Sequence, residues 1–336
     1  MENKRNFALD FIKFLASIVI ALLHYNWRIV PQGYLCVEFF FVSSGFLIYK
    51  RRCHYSDRSF FFIALGKIKS FGRYYIILVV LAIFLHISNR DMGVLQNFPA
   101  KILQFFLFLP YIFTGGGYTL PFGHVWFLPC WLVGSLILIY FLKMKYRSEN
   151  IMIALISLVL FGLVYTATDF HGINMSLEKA IFCFTFGFSR ALLDMSMGIV
   201  FSKISERLQI RNTFCANSLV VFVLIFSLYI FTLSANPAYD FISIFLFGIL
   251  ILLLNEKELG VTSILSKLGK RLNVLVSLSL PIYVFHVPCI KLLQILGFEN
   301  RLRFIPLYMA IVLSVTFIDL ALRKLFHCDK NKKRRL

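Results

Sequence analysis

Long apolar runs alternate with short basic connections along almost the whole chain. An α-helix needs about 20 apolar residues to cross the hydrocarbon core of a bilayer. The pattern therefore predicts an all-α polytopic membrane protein with about ten transmembrane helices. These spans are Phe7–Tyr25, Gly33–Tyr49, Tyr74–Ile87, Trp126–Leu142, Ile151–Thr168, Ile181–Phe201, Asn217–Leu233, Phe241–Leu254, Leu272–Ile290 and Phe304–Leu322. A shorter run at 101–113 has too few residues to span, so we expect a re-entrant or interfacial segment there.

The bulk composition agrees with lipid as the main solvent. Of the 336 residues, 59% are hydrophobic and 15% are charged, whereas soluble domains carry about 25% charged residues. The net charge of +19 would suit a nucleic-acid partner, but the basic residues lie between the apolar runs. We expect membrane lipid and no nucleic acid as a partner. The seven cysteines form no CxxC pair and predict neither a disulfide framework nor a metal site.

The distribution of basic residues predicts the orientation of the chain. With both termini in the cytoplasm, 26 of the 35 Lys and Arg residues fall in inner segments and seven in outer segments. Positively charged loops are retained on the cytoplasmic side of membranes. This bias also argues against a full span at 101–113, because one more crossing would place every later basic loop on the outer side of the membrane. We divide the chain into a membrane domain at 1–325 and a basic cytoplasmic tail at 326–336.

The first predicted helix carries a polar stripe. Asp10, Lys13, Ser17 and His24 occur in an otherwise apolar sequence, and a charged residue at the centre of a bilayer costs at least about 2.5–3.5 kcal/mol. Lys13 and His24 are eleven residues apart, which places them within about 20° of each other around the helix axis. The stripe predicts the wall of a polar cavity, with Lys13 in its inner half and His24 at its outer end.

Three further polar residues are predicted to reach the outer level of the membrane. Glu38 begins the second span, His124 precedes the fourth, and His286 lies toward the outer end of the ninth. Each can be a residue of the membrane interface. Together with His24 they indicate a site that opens to the outer face, where a histidine can transfer a proton near neutral pH.

Basic residues on the inner side allow more than one interpretation. Arg51 and Arg52 belong to a strongly basic loop at 50–73, which topology and anionic lipid explain and which also suits a phosphorylated cytoplasmic ligand. Arg190 lies in the middle of the sixth span, four residues before Asp194. It is either part of a structural ion pair or an arginine that binds a ligand.

Four segments together resemble the integral-membrane acyltransferase 3 family of bacterial surface-carbohydrate O-acyltransferases. The segments are "KFLASIVIALLH", "GYLCVEFFFVSSGFLIYKRR", "GHVWFLPCWL" and "SLSLPIYVFHVPCI". The first is similar to the family's motif of a basic residue, a ten-residue gap and a histidine. Cys36 stands where the family usually has glycine, and Leu280–Pro281 where Ser-Tyr is common. The resemblance covers nearly the whole chain.

The resemblance implies transfer of an acyl group, usually acetyl, from cytoplasmic acyl-CoA to a sugar hydroxyl. The acceptor would be a surface glycan or a lipid-linked sugar, and the protein would lie in the bacterial inner (plasma) membrane. On this interpretation we expect His24 to be the general base on the acceptor hydroxyl, with Glu38 orienting it, and Lys13 to hold CoA or polarise the thioester carbonyl. An acyl-histidine relay is a variant of the same scheme. Acyl-CoA would be a substrate, and no bound cofactor is expected. The substrate-binding candidates are Arg51, Arg52, Arg190, His124, Trp126, Tyr283 and His286.

A transporter is the alternative interpretation. In a non-enzymatic transporter the same stripe would be a path for protons or solute, and no thioester would be cleaved. A scaffold protein for carbohydrate assembly would need no such stripe. Transfer of label from acetyl-CoA to glycan distinguishes the enzyme from both alternatives.

Overall fold

The fold is known from a computed structural model, which describes 5–88, 109–113, 123–144, parts of 152–162, and most of 180–333. Within the last two ranges, positions 153, 157, 161, 182, 211, 235, 257 and 299–300 are not described. Apart from a hairpin of two very short strands, the regular structure in the described residues is helical. Five of these helices are long and apolar enough to cross a membrane, and three shorter ones are also apolar. The prediction of an all-α polytopic membrane protein is confirmed.

The elements are numbered in chain order. They are α1 (Phe7–Tyr25), α2 (Cys36–Lys50), α3 (Arg52–Ser56), α4 (Phe60–Ser88), α5 (Leu109–Ile112), α6 (Phe127–Lys143), β1 (Ala180–Ile181), β2 (Phe184–Thr185), α7 (Phe186–Arg207), α8 (Thr213–Thr232), α9 (Pro237–Leu254), α10 (Gly260–Arg271), α11 (Asn273–Val276), α12 (Ser279–Ile295) and α13 (Ile305–Lys333). Short 3₁₀ turns precede α2, α6 and α13, at Gly33–Leu35, Gly123–Trp126 and Leu302–Phe304. The strands β1 and β2 pair antiparallel.

The two ends of the helical bundle differ in chemistry. We call the end that holds the start of α1 the basic end, because α2 and α7 finish there with Lys50 and Arg207 in their last turns. We call the opposite end, where α1 finishes, the histidine end. The first helix begins with the side chain of Asn6, which accepts a hydrogen bond from the N–H of Leu9, and this capping bond fixes where the helix starts.

The predicted span at 272–290 is interrupted in the structure. Within it the chain forms the short helix α11, turns at Ser277 and Leu278, and starts α12 at Ser279. Pro281 gives the physical reason, because proline has no N–H and is accommodated best in the first turn of a helix. The amphipathic helix α10 precedes the predicted span and lies at the basic end.

Other boundaries also differ from the predictions. The basic loop predicted at 50–73 contains α3 and the first half of α4, and the predicted start of the sixth span contains β1 and β2 before α7 begins. Helix α13 passes the proposed boundary at 325 and 326 without a break, so the division into domain and tail stays a prediction. The predicted span at 151–168 and the segment at 101–113 lie largely outside the described residues.

Labelling of single cysteines tests the predicted orientation. In a variant without the natural cysteines, Gln209→Cys at the basic end should react with a membrane-impermeant maleimide only after the membrane is opened. Arg28→Cys, in the exposed turn after α1, should react in intact cells. The opposite pattern would contradict the cytoplasmic placement of the termini.

Candidate functional site

Three histidines from three helical segments meet at the histidine end. The ring centroids of His24 and His286 are 4.8 Å apart, those of His124 and His286 are 4.7 Å apart, and those of His24 and His124 are 6.3 Å apart. We call these residues the histidine cluster. Their positions in the sequence are separated by about a hundred residues or more, so only the tertiary fold brings them together.

Aromatic packing holds the end of α1 in place. The ring of Tyr25 stacks on that of Tyr308, with 4.5 Å between their centroids, and the Tyr25 hydroxyl donates to the carbonyl of Arg301. The Tyr308 hydroxyl in turn donates to the carbonyl of Ala21 at 3.1 Å. Helix α13 therefore fixes the last turn of α1, from which His24 projects.

Backbone contacts decide which nitrogen of each ring carries a proton, because a carbonyl oxygen can only accept. His24 donates from Nδ1 to the carbonyl of Ile20 at 3.0 Å. His286 donates from Nδ1 to the carbonyl of Tyr283 at 2.6 Å. In the neutral rings of His24 and His286, Nε2 then presents a lone pair. His24 is exposed whereas His124 and His286 are buried, so His24 is the member of the cluster that a substrate can reach.

A proline in α12 creates the partner that holds His124. A helical residue normally donates its N–H to the carbonyl four positions earlier. Pro288 has no N–H, so the carbonyl of Val284 receives no such bond. Nε2 of His124 donates to this carbonyl at 3.1 Å. The Tyr283 hydroxyl donates to the carbonyl of His124 at 2.7 Å, and these two contacts attach the turn before α6 to α12.

Restoring the missing helical bond should therefore disturb the site. In Pro288→Ala the new N–H can bond to the carbonyl of Val284 and compete with His124. We expect a more stable helix, because proline inside a helix costs about 3 kcal/mol, together with reduced activity. Thermal unfolding and activity measured on the same purified protein check this prediction. A variant with lower stability and unchanged activity would contradict it.

A cavity of about 350 Å³ lies between the histidine cluster and the basic end. Lys13 of α1 lines it, as do Ser44 and Trp131, whose side chains share a hydrogen bond of 3.1 Å. Tyr283 also lines it, and the Tyr283 ring lies 5.9 Å from that of His124 and 5.8 Å from that of His286. The cavity therefore extends from the level of Lys13 to the ring that contacts the histidine cluster.

Cations surround the other end of this cavity. The ammonium of Lys67 lies 4.6 Å from the ring centroid of Trp131, and Arg51 is near enough to Lys13 and Lys67 to repel both charges. Arg5, which is paired with Asp10, also lines the cavity. Positive charge that is incompletely balanced in this way attracts an anionic ligand.

Arg52 is paired with a carboxylate away from the cavity. It donates two hydrogen bonds to the carboxylate of Glu206, at 2.8 and 3.1 Å, and its guanidinium lies over the ring of Tyr49. The pair links α3 to the end of α7. Of the two neighbouring arginines, Arg51 has the position that suits a ligand better.

A buried ion pair connects α2 and α7. Arg190 donates to the carboxylate of Glu38, and their side chains are only 2% and 0% exposed. Trp126 covers the guanidinium, whose carbon lies 5.3 Å from the ring centroid. Asp194, one turn later on α7, is buried beside the same pair. Removing one partner of such a pair strands a buried charge, which typically costs about 3–5 kcal/mol.

The structure gathers some of the predicted site residues and separates others. His24, His124, His286 and Tyr283 lie together, Lys13 is on the adjoining cavity, and Glu38, Arg190 and Trp126 form the buried pair with its cover. The role predicted for Glu38, orienting His24, stays a prediction. Sequence reasoning did not single out Arg5, Lys67 or Trp131, because their importance depends on contacts with distant helices.

One comparison with known proteins identifies a family for this chain. A family model described as an acyltransferase domain matches residues 6–322, which is nearly the whole chain. No curated protein and no solved structure gives a match. The matched residues include the complete histidine cluster, the buried ion pair and, apart from Arg5, the lining of the cavity below the cluster. The chain belongs to the acyltransferase 3 family and is a membrane acyltransferase.

Proposed function

We propose that the protein transfers an acetyl group from cytoplasmic acyl-CoA to a hydroxyl of a cell-surface polysaccharide or its lipid-linked precursor. It would do so in the inner membrane of a bacterium. One observation carries the proposal: the cavity that Lys13 lines leads from a basic mouth to Tyr283, whose ring contacts two members of the histidine cluster. This geometry suits a donor that approaches from the cytoplasm and an acceptor that approaches from the other side. The family also favours an enzyme over a transporter.

His24 acts as the general base in the proposed reaction. Its Nε2 removes the proton from the acceptor hydroxyl while the hydroxyl oxygen attacks the carbonyl carbon of the thioester. The tetrahedral intermediate collapses, the carbon–sulfur bond breaks, and the CoA thiolate leaves. The imidazolium of His24 then gives its proton to the thiolate, which restores the neutral ring. His124 and His286 support the orientation of His24, and their neighbour Tyr283 lines the donor cavity where it meets the cluster.

Lys13 acts on the donor rather than on the reacting carbonyl. It precedes His24 by eleven residues, which corresponds to about 16 Å along a helix, so both side chains cannot contact one thioester group. Lys13, Arg51 and Lys67 instead provide positive charge for the phosphates of CoA. Arg52 contributes through its pair with Glu206, which holds α3 at the mouth. Arg190, Glu38 and Trp126 keep α2 and α7 together behind the site.

Incubation of membranes with acetyl-CoA labelled in the acetyl group tests the proposal. Label should enter lipid-linked or surface saccharide only in membranes that contain the protein, and mild alkali should release it as acetate, as expected for an ester. Membranes without the protein are the control. If membranes rich in the protein neither transfer label nor cleave the thioester, the proposed function is wrong.

The role of Lys13 has a separate kinetic signature. We expect Lys13→Ala to raise the KM for acetyl-CoA at least about tenfold, because a hydrogen bond to a charged group contributes about 1.5–3 kcal/mol. Its kcat should change less, and Lys13→Arg should recover part of the loss because the charge stays on the same face. The measurement is a series of initial rates at varied acetyl-CoA. An unchanged KM together with a lower kcat would remove Lys13 from the donor site.

A further inference from the structure

A second cavity, of about 600 Å³, lies at the basic end. It is bounded by the start of α1, the end of α9 and the helix α10. Its volume falls within the range of about 300–1,000 Å³ that is typical of sites for small molecules and cofactors. Neither the family nor the proposed chemistry assigns a ligand to it.

The polar face of α10 lines this cavity. Ser263, Ser266, Lys267 and Lys270 all contribute to its wall. Their spacing of three, four and seven residues places them on one side of the helix, and Gly269 packs against the backbone of Phe7 on α1. Helix α10 is therefore held by one side against α1 while it presents two hydroxyls and two ammonium groups to the cavity.

Positive charge dominates the second cavity. Arg5, Lys267 and Lys270 line it, and among the described residues no carboxylate does. Three amide or hydroxyl side chains also line it, those of Asn6, Asn255 and Thr262. Ammonium, guanidinium and hydroxyl groups around one concave surface are the partners that phosphate oxygens require.

Arg5 joins this cavity to the donor cavity, because it lines both. Its guanidinium is held at 2.5 Å from the carboxylate of Asp10 and at 2.6 Å from the side-chain oxygen of Asn273. Asp10 also lines the donor cavity, on the same face of α1 as Lys13. A ligand that fills the second cavity can thus extend past Arg5 toward Lys13.

We propose that the second cavity binds the nucleotide half of the acyl-CoA donor, with Lys267 and Lys270 at its 3′-phosphate. This assignment rests on the proposed function and names a subsite for the same donor. The headgroup of an anionic lipid offers the same phosphate chemistry. The connection through Arg5 favours the donor, because a lipid headgroup does not need a passage toward Lys13.

A binding experiment tests the assignment without turnover. The dissociation constants of CoA and of 3′-dephospho-CoA are measured for the purified full-length protein and for Lys267→Gln/Lys270→Gln. The double substitution should weaken CoA about tenfold or more and leave 3′-dephospho-CoA nearly unchanged. The control is Lys203→Gln/Arg207→Gln, which removes two cations from the basic end at positions that line neither cavity. It should bind both ligands like the natural protein.

The remaining outcomes separate the sources of phosphate. The same proteins are placed in bilayers of phosphatidylcholine with and without phosphatidylglycerol. If the double variant loses stabilisation by phosphatidylglycerol but binds CoA normally, the cavity holds a lipid headgroup and the assignment is overturned. Equal CoA affinity in all three proteins overturns it as well, while the proposed acetyl transfer stands. Failure of the natural protein to bind CoA at all would overturn both.

Discussion

Replacing His24 with alanine is expected to abolish acetyl transfer while the protein remains in the membrane at its normal abundance. A general base typically contributes about 10²–10⁴-fold to the rate, so the loss should be nearly complete in a cellular assay. His24 is exposed at the end of α1 and its side chain bonds only within its own helix in the described contacts. Its removal therefore leaves the packing of Tyr25 on Tyr308 intact.

A change of register provides the matched control. In Leu23→His/His24→Leu the composition of the helix is the same, but the imidazole is turned by about 100° around the helix axis. We expect no recovery of transfer, because the ring no longer faces His124 and His286. Transfer of label and the amount of inserted protein are measured together. Natural levels of transfer in His24→Ala at equal abundance would make His124 or His286 the leading base.

The periodicity of the sequence predicts this site only in part. The eleven-residue step from Lys13 to His24 places both residues on one face of a helix, and the structure puts Lys13 on the donor cavity and His24 in the histidine cluster. Helical periodicity does not depend on the partners of the helix, so such local relations can be read from one sequence. Helical periodicity does not show which residues from other helices complete the site.

The contact between His124 and Val284 shows why the rest could not be predicted. It depends on a carbonyl that Pro288 leaves without a helical donor and on a histidine 160 residues away. The ion pair of Arg190 and Glu38 likewise joins residues that are 152 positions apart. The sequence offered Asp194 as the neighbouring carboxylate for Arg190, whereas the fold brings in Glu38 through the close packing of α2 and α7.

That close packing depends on two glycines. A methyl group built at Gly45 would lie 1.8 Å from the carbonyl oxygen of Met195, and one built at Gly198 would lie 2.0 Å from that of Val42. Both obstacles are backbone atoms, so neither can move aside without separating the helices. Small residues at such a crossing let two membrane helices approach closely and gain dispersion contacts. The same approach brings Glu38 and Arg190 together.

Alanine at either glycine should therefore destabilise the protein strongly. Overpacking typically costs about 1–3 kcal/mol even where side chains can adjust, and here the helices must part, which also strains the buried pair of Arg190 and Glu38. The expected result for Gly45→Ala and Gly198→Ala is a lower unfolding temperature and a lower yield of folded protein in detergent. Gly66→Ala is the matched control, because a methyl group there meets nothing within 4 Å and alanine is favoured over glycine in a helix by about 0.5–1 kcal/mol. If all three variants unfold at the same temperature, the close approach of α2 and α7 does not contribute to stability as the geometry indicates.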